Sequence, residues 1–370
     1  MSGIRWSGKF WPQGTELIFA GILVCAISFS GYYTYSHILS KIESESRLPS
    51  CFSSSSFDQT ASLIPCDQIY HAGPTKDGIP ALTHPAMVAV EQAQHLSDSD
   101  PVIGIEMDGQ SRAYPLRIMA WHECVNDSIG NNHFAVFYCP LCDSTAVYDR
   151  CLGEEILEFG ISGLIYQSNL LFFDRRKLSG KESLWSQLNG KAVVGPLSGK
   201  TLVNLPHQRV TWKTWKSMHP NTTVLDQTTG YKRSYSPDFY ADYFAKDDLL
   251  YPVEIKNDLF PLKERVLGVV AEGTAKAYPL KRIDPKLREI RDSIGKISIR
   301  IKRLDSEDSL IEADAGAHTV YSFWFAWYAF HPDTQIYDGE GFDLEQWRNQ
   351  RISSAQPAAS VHLTQNETQQ

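Results

Sequence analysis

Residues 102–117 read VIGIEMDGQSRAYPLR, and residues 266–281 read VLGVVAEGTAKAYPLK. In both, a short apolar run leads into an acidic residue followed by Gly, and a second run ends at Ala-Tyr-Pro. This order is typical of a β-hairpin whose second strand stops at proline, because proline cannot donate a backbone hydrogen bond to a neighbouring strand. The repeated pattern therefore predicts two copies of one mainly β domain.

Two further matches follow in the same order. Asp-Ser-Ile-Gly occurs at 127–130 and at 292–295, and a Trp-x-x-x-His-Pro element occurs at 215–220 and at 327–332. The second copy is shorter because it lacks most of the segment between these two anchors. Three matches in one order predict a duplication with unequal copies.

The two ends of the chain differ in composition from the repeats. No Asp, Glu, Lys or Arg occurs from Leu17 to Ser40, which meets the ~20 apolar residues that a bilayer crossing needs. A run of four serines then marks a tether, and a Gln-, Ser- and Thr-rich end marks a loose tail. We predict six segments: a cytoplasmic stub (1–16), a transmembrane anchor (17–40), a Ser-rich linker (41–67), a first repeat (68–250), a shorter second repeat (251–352) and a disordered tail (353–370).

The apolar segment is predicted to remain as a signal anchor. A cleavable signal peptide is the alternative, but no small-x-small site follows, and Tyr32, Tyr33 and Tyr35 are typical of an aromatic belt at a membrane interface. A short stub before one helix and a large domain after it indicates export of the C-terminal part. We therefore expect a single-pass protein of the inner (plasma) membrane with a periplasmic main domain.

Composition and charge restrict the class and the partners. A hydrophobic fraction of 42% with 17 Tyr, 17 Phe and 9 Trp is typical of a well-packed globular chain. The formal charge of −8 comes without a basic stripe, so we expect no nucleic-acid partner. The membrane is an expected partner through the N-terminal helix, and the sequence identifies no protein or small-molecule partner.

Periodicity predicts more strand than helix in the repeats. Further strands are expected at 133–138, 145–148, 155–159 and 169–173, and the best helical patterns lie at 87–96 and 211–218. The predicted fold class is α+β, dominated by strands.

Residues found in only one copy are the candidates for chemistry. Trp-His-Glu-Cys at 121–124 corresponds to Lys-Leu-Arg-Glu at 286–289, and Cys-Pro-Leu-Cys at 139–142 has no counterpart. A Cys-x-x-Cys turn holds two thiols close enough to form a disulfide or to bind one metal ion. The first copy is therefore expected to carry the site.

The candidate catalytic residues of a thiol- or metal-dependent oxidoreductase are His122, Glu123, Cys139 and Cys142. In the metal interpretation, His122 and the two cysteines bind a transition metal such as zinc, copper or iron, with Cys124 or His133 as a fourth ligand. In the redox interpretation, Cys139 is the reactive thiolate and His122 stabilises it. Glu123 is expected to orient the imidazole in both.

Other interpretations of the cysteines stay open. A thioredoxin motif opens a helix, whereas residues 143–148 have the pattern of a turn and a strand, and a zinc ribbon needs a second Cys-x-x-Cys. The two thiols are otherwise a small structural site, or they are buried and reduced. Cys51 and Cys66 either form a disulfide across the linker or remain unpaired.

Seven motifs occur in order between His71 and Tyr243: Gly73–Leu82, Ala113–Arg117, Trp121–Asp127, Tyr138–Cys142, Phe159–Gly163, Ser183–Gln187 and Trp212–Pro220. Together they resemble the bacterial family known as domain of unknown function 3179, and the second half resembles it more weakly. The resemblance brings no established activity. Some members of that family are described as candidate selenoproteins, which implies a redox role at the Cys-Pro-Leu-Cys position. Other members lack the second cysteine, which implies that Cys139 and His122 form the principal pair.

These observations lead to one principal hypothesis and one alternative. The principal hypothesis is an extracytoplasmic domain that is redox-active or binds a metal through its Cys-x-x-Cys and histidine. The alternative is a non-enzymatic binding or scaffold protein in which an aromatic-lined surface contacts a partner and the cysteines are structural.

Overall fold

The computed structural model describes residues 57, 61–177, 181–236, 239–304, 309–314 and 316–354. Within these ranges, no helix has both the length and the apolar character needed to span a bilayer. The predicted stub, the anchor, most of the linker including Cys51, and the chain after residue 354 lie outside the described residues. Strand exceeds helix by 41% to 14%, which confirms a strand-dominated α+β fold.

The strands of the described residues are numbered in chain order: β1 (Ile69–His71), β2 (Leu82–Thr83), β3 (Met87–Ala89), β4 (Pro101–Met107), β5 (Gln110–Pro115), β6 (Cys124–Ile129), β7 (Asn132–Cys139), β8 (Ser144–Asp149), β9 (Cys151–Leu152), β10 (Glu155–Ile156), β11 (Phe159–Tyr166), β12 (Asn169–Asp174), β13 (Leu184–Ser186), β14 (Lys191–Val194), β15 (Gln208–Thr211), β16 (Thr223–Leu225), β17 (Arg265–Ala271), β18 (Thr274–Tyr278), β19 (Glu289–Ile294), β20 (Ile297–Arg303), β21 (Ser309–Ala313), β22 (His318–Phe323) and β23 (Gln335–Ile336). The helices are α1 (Leu116–His122), α2 (Trp212–Met218), α3 (Ala241–Phe244), α4 (Trp324–Phe330) and α5 (Leu344–Ser354), with 3₁₀ turns at Cys66–Gln68 and Val90–Gln92.

Three sheets position the candidate site. The hairpin sheet has the order β15-β4-β5-β16-β3, and the long sheet has the order β2-β6-β7-β8-β22-β17-β18-β23. The insert sheet, β1-β11-β12-β13-β14, packs on the long sheet through aromatic side chains, with the Phe137 and Phe172 ring centroids 4.1 Å apart. Strands β19-β20-β21 form a separate meander, and β9 pairs with β10.

Both predicted hairpins form, and they have the same register. Gly104 lies opposite Ala113 in the β4–β5 hairpin, and Gly268 lies opposite Ala277 in the β17–β18 hairpin. Each hairpin receives an antiparallel strand on one side, β15 or β22, and a parallel strand on the other, β16 or β23. A helix follows each antiparallel strand. Helix α2, predicted at 211–218, follows β15, and helix α4 follows β22.

The glycines explain part of this agreement. A Cβ at Gly104 would overlap the Trp215 indole, and a Cβ at Gly268 would overlap the Trp327 indole. Each indole N–H donates to a threonine hydroxyl at 2.9 Å, Thr222 Oγ1 in one case and Thr334 Oγ1 in the other. Only glycine therefore allows each helix to pack this closely on its hairpin.

The two halves of the chain join through two strand junctions. In the first, β8 pairs with β22 at Thr145 and Tyr321. In the second, the Gln208 side chain of β15 donates to the Ile311 carbonyl of β21 and accepts from the Ile311 N–H, both at 2.9 Å. The β6–β7–β8 meander therefore extends the sheet of the later hairpin, and the β19–β20–β21 meander lies beside the sheet of the earlier one.

Two predicted elements were wrong. Residues 87–96 form strand β3 and a 3₁₀ turn instead of a helix, because Val88 pairs with Val224 at the edge of the hairpin sheet. The strand expected at 155–159 is interrupted after Ile156, where the Leu157 N–H donates to the Arg150 carbonyl at 2.8 Å. In both places, pairing with a distant part of the chain overrides the local pattern.

Candidate active site

The Cys-Pro-Leu-Cys motif forms the turn between two paired strands. Cys139 ends β7 and lies opposite Ser144, the first residue of β8, so Pro140 to Asp143 close the turn. Asp143 has φ +47°, a left-handed backbone that a tight turn requires here. Both cysteines are free thiols with 1% and 0% exposure, which places them inside the protein.

Three polar side chains surround the sulfur of Cys142. Asn169 Nδ2 donates to Cys142 Sγ at 3.0 Å, and Ser144 Oγ lies 3.1 Å from the same sulfur. Gln187 Oε1 accepts from Ser144 at 2.7 Å and from Asn169 at 2.8 Å. The Leu188 N–H donates to Asn169 Oδ1 at 3.2 Å, which fixes the amide with its NH₂ group toward the sulfur.

These contacts separate the acidities of the two thiols. Burial by itself raises the pKa of Cys142, but its contacts with Cys139, Ser144 and Asn169 outweigh burial and leave its pKa lowered. Burial raises the pKa of Cys139 well above its usual value, and the neighbouring Cys142 raises it further. The contacts therefore favour Cys142 as the thiolate, whereas the sequence analysis assigned that role to Cys139.

Glu123 lies on the other side of Cys139. It follows helix α1 with φ +57°, and its carbonyl accepts from the Tyr138 N–H at 3.0 Å. Burial raises the pKa of Glu123 well above its usual range, and the charge of Cys139 adds to this effect. Burial therefore favours the protonated form of the Glu123 carboxyl.

Two tyrosines cover the cysteine turn. Tyr243 donates its hydroxyl to the Leu141 carbonyl at 2.7 Å. Burial raises the pKa of Tyr243, and the charges of Cys142 and Cys139 raise it further. Burial also raises the pKa of Tyr240, and its charged neighbours are Glu123 and Cys139. Lys263 Nζ lies 3.5 Å from the Tyr243 ring centroid.

A buried ion-pair network ties the turn to the later half of the chain. The Asp143 carboxylate bonds to Arg209 at 2.9 Å, to Arg265, and to the Tyr138 hydroxyl at 2.9 Å. Burial raises the pKa of Asp143, but the two guanidinium groups outweigh it and leave the pKa lowered, so the carboxylate stays ionised. The Phe323 N–H also donates to the Cys142 carbonyl at 2.8 Å. Two elements distant in sequence therefore fix the turn.

The structure does not bring His122 to the two thiols. Its Nδ1 lies 2.7 Å from the Pro80 carbonyl and its Nε2 lies 2.8 Å from the Tyr235 hydroxyl, so both ring nitrogens are used elsewhere. Cys124, one of the two expected fourth ligands, contacts the Phe159 carbonyl at 4.0 Å. In the described part of the chain, no three His, Cys, Asp or Glu side chains are placed to hold a metal ion.

Sequence reasoning missed three residues of the thiol environment: Ser144, Asn169 and Gln187. Gln187 lies in one of the seven motifs, but nothing in the sequence places it beside a cysteine 45 positions earlier. Asn169 begins β12 directly after a tight turn at Gln167 and Ser168, both with positive φ. A polar residue at the start of an otherwise apolar strand, NLLFF, is the one signal that indicates a special role.

The fold and the site define a strand-dominated α+β protein with a buried, hydrogen-bonded pair of thiols. The chain belongs to the family described as "Protein of unknown function (DUF3179)", whose model matches residues 76–319. No curated protein and no solved structure matches the chain.

Proposed function

We propose that Cys139 and Cys142 are a redox-active dithiol that exchanges with a disulfide of a partner molecule. The observation that supports this proposal best is the Asn169 amide, which donates to Cys142 Sγ at 3.0 Å and is held in that orientation by Gln187 Oε1 and the Leu188 N–H. A buried structural cysteine behaves as a small hydrophobe and needs no such donors. Thiol–disulfide exchange requires a thiolate, and this environment supplies one in the absence of bulk water.

The proposed reaction balances with the residues at hand. The Cys142 thiolate attacks one sulfur of the partner disulfide, which forms a mixed disulfide and releases the other sulfur as a thiolate. Glu123 protonates this leaving group and then accepts the proton of Cys139. The Cys139 sulfur attacks Cys142 and releases the second partner sulfur, which solvent protonates. Two electrons pass to the partner, which leaves as two thiols, and the protein keeps a Cys139–Cys142 disulfide.

The test is a redox titration of the purified chain in glutathione buffers, with alkylation and mass measurement of each cysteine. We expect Cys139 and Cys142 to change together by two electrons, and Cys142→Ser to abolish that step. Cys151→Ser removes an exposed cysteine and is the matched control. Metal analysis of the same samples separates the alternative, a transition metal such as zinc, copper or iron on the cysteines. Stoichiometric metal that is lost in Cys142→Ser, with no redox step, would contradict the dithiol proposal.

We also propose that the chain consists of two unequal copies of one domain, at 68–250 and 251–352. Matching hydrogen bonds support this proposal. Tyr114 donates to Asp127 at 2.8 Å and Tyr278 donates to Asp292 at 2.9 Å, and each of these aspartates also accepts from the N–H of the following serine at 2.8 Å. Superposition of the two halves of an experimental structure on each other tests the proposal, and different strand orders in the two halves would contradict it.

We infer that residues 17–40 anchor the protein in the inner membrane and that the dithiol domain is periplasmic. The uncharged segment after a short stub supports this inference. C-terminal fusions to alkaline phosphatase and to a fluorescent protein that folds only in the cytoplasm test it. We expect phosphatase activity alone, and fluorescence alone would reverse the topology.

A further inference from the structure

His122 and Glu123 are adjacent in sequence but serve different surroundings. The left-handed backbone of Glu123 ends helix α1, and the two side chains contact different elements. A carbonyl oxygen only accepts, so His122 Nδ1 carries the hydrogen that goes to the Pro80 carbonyl. The Nε2 lone pair then accepts from the Tyr235 hydroxyl at 2.8 Å. Burial lowers the pKa of His122, which agrees with a neutral ring.

A chain of hydrogen bonds leads from this imidazole to a cavity. The Tyr235 hydroxyl also lies 2.6 Å from Thr229 Oγ1. Tyr235 has one hydrogen, and it is used toward His122, so the Thr229 hydroxyl donates to the Tyr235 oxygen. Thr229 lines the cavity, and its oxygen also accepts from the Tyr231 N–H at 3.4 Å, which leaves one lone pair as an acceptor there. The neutral imidazole therefore fixes the direction in which the Thr229 hydroxyl, on the cavity wall, donates its hydrogen.

The cavity has a volume of about 460 Å³ and a mostly polar wall. This volume lies within the ~300–1,000 Å³ that small-molecule sites occupy. The wall residues that matter here are Asp77, His84, Glu158, Arg175, Thr229 and Tyr231. Arg175 bonds to Asp77 at 2.7 Å and lies 3.5 Å from Glu158, so one guanidinium faces two carboxyl groups. This charge balance disfavours an anionic ligand.

Two wall residues adopt backbone conformations that are unusual for residues other than glycine. Asp77 has φ +58° and His84 has φ +46°. Each is held by a backbone hydrogen bond to a strand, Asp77 N–H to the Ile161 carbonyl at 2.8 Å and His84 N–H to the Asn126 carbonyl at 2.9 Å. Such conformations persist where the surroundings impose them, and they concentrate at ligand sites.

We propose that this cavity binds a neutral, hydroxyl-rich small molecule, a mono- or disaccharide. Arg175 contacts Asp77 Oδ1 and Glu158 Oε1, so the second oxygen of each carboxylate is left as an acceptor for a sugar hydroxyl. Tyr231 is 46% exposed and offers a ring face to the C–H side of a sugar. Thr229 accepts one further hydroxyl hydrogen. The site is separate from the thiol pair and does not depend on its redox role.

Saturation-transfer NMR on the full-length chain, solubilised in detergent, tests the proposal. The probes are glucose, maltose, N-acetylglucosamine and its β-1,4 disaccharide, with gluconate as an anionic comparison. We expect at least one neutral sugar to show transfer and to bind more tightly than gluconate. Absence of transfer to all four sugars, or a preference for gluconate, would overturn the assignment.

Variants locate the binding. Tyr231→Ala is expected to weaken binding of the best sugar at least 10-fold. Tyr235→Phe is expected to weaken it several-fold, because the Thr229 hydroxyl loses the acceptor that fixes its orientation. Phe239→Ala removes another exposed aromatic outside the cavity wall and is the matched control. Cys142→Ser should bind sugar as the wild type does. Equal losses in Tyr231→Ala and Phe239→Ala would show that the sugar binds elsewhere and would overturn the proposal.

Discussion

The Tyr114 hairpin (β4–β5) and the Tyr278 hairpin (β17–β18) have the same register and the same supporting contacts, but only the first leads to the thiol pair. Each hairpin packs a tryptophan on a glycine, and each of these tryptophans stacks with a histidine, with ring centroids 4.0 Å apart for Trp215–His219 and 4.2 Å for Trp327–His331. These shared contacts are therefore scaffold. The thiol pair and its contacts belong to features around the first hairpin alone, namely helix α1, the cysteine turn and the insert sheet.

The insert sheet explains why the cysteine turn has a polar environment. Asn169 begins β12 and Gln187 follows β13, and both strands belong to the insert sheet. In the described residues around β19–β21, no corresponding sheet packs on the meander. The comparison indicates that the scaffold around the first hairpin positions the turn, and that the inserted strands supply the Asn169 donor to Cys142 Sγ and the Gln187 oxygen that orients it.

Substitution of the two glycines tests the scaffold part of this comparison with the largest expected effect. Gly104→Val and Gly268→Val place a branched side chain where an indole packs, and overpacking of this kind costs ~1–3 kcal/mol or more. We expect both variants to lose ~3 kcal/mol or more of unfolding free energy, measured by urea denaturation. Gly109→Ala, in a hairpin turn with open space around it, is the control, and its positive φ predicts a loss of only ~1 kcal/mol. A neutral Gly268→Val would mean that the second hairpin is not packed as the first is.

The predictability of the fold follows the same division. Both hairpins, the strand end at Pro115 and the strand after the cysteine turn were predictable, because local turn chemistry and strand alternation determine them. The pairing of β8 with β22 was not, since it joins Thr145 to a residue 176 positions later. Of the predicted site residues, Cys139, Cys142 and Glu123 lie near one another, whereas His122 contacts other elements. The separation of His122 from the two thiols depends on one left-handed residue, Glu123, that sequence patterns do not reveal.

The two strand junctions are expected to respond differently to pH. His207 lies at the β8–β22 junction, where its ring is 5.9 Å from that of Tyr321, and burial lowers its pKa to about 4. The unfolded chain binds a proton near pH 6.5 and the folded chain does not, so stability is full above pH 6.5 and falls as the pH drops toward 4. The loss is about 1.4 kcal/mol per pH unit for one such histidine.

Denaturation midpoints measured between pH 7 and 5 test this expectation. His207→Gln should reduce the slope of stability against pH by about one proton. The Gln208–Ile311 junction contains no titrating group in its two hydrogen bonds, so it should not contribute to the slope. An unchanged slope in His207→Gln would show that this histidine has the same pKa in the folded and in the unfolded chain.

Removal of the Asn169 amide tests how much the insert sheet lowers the pKa of Cys142. A hydrogen bond to a charged group contributes ~1.5–3 kcal/mol, which corresponds to ~1–2 pKa units. Asn169→Leu should therefore raise the pKa of Cys142 by that amount and slow its alkylation at neutral pH about 10- to 100-fold. Ser144→Ala is expected to change this pKa much less, because the Ser144 hydrogen is donated to Gln187 Oε1 and not to the sulfur. The thiolate absorbance against pH is the measurement, and Cys124, whose pKa burial raises strongly, is the internal control.

The smallest expected difference lies within the shared scaffold. Tyr114→Phe removes the hydroxyl that donates to Asp127 at 2.8 Å, and Tyr278→Phe removes the one that donates to Asp292 at 2.9 Å. Arg112 still pairs with Asp127 and Lys276 with Asp292. A net hydrogen bond is worth ~0.5–1.5 kcal/mol, so both variants should lose about 1 kcal/mol of unfolding free energy. Tyr114→Phe should lose slightly more, because the Asp127 side chain is 4% exposed and that of Asp292 is 17% exposed, and water replaces the lost donor more easily at Asp292. Urea denaturation of the two variants beside the wild type measures the difference, and a larger loss in Tyr278→Phe would reverse the ranking of the two halves.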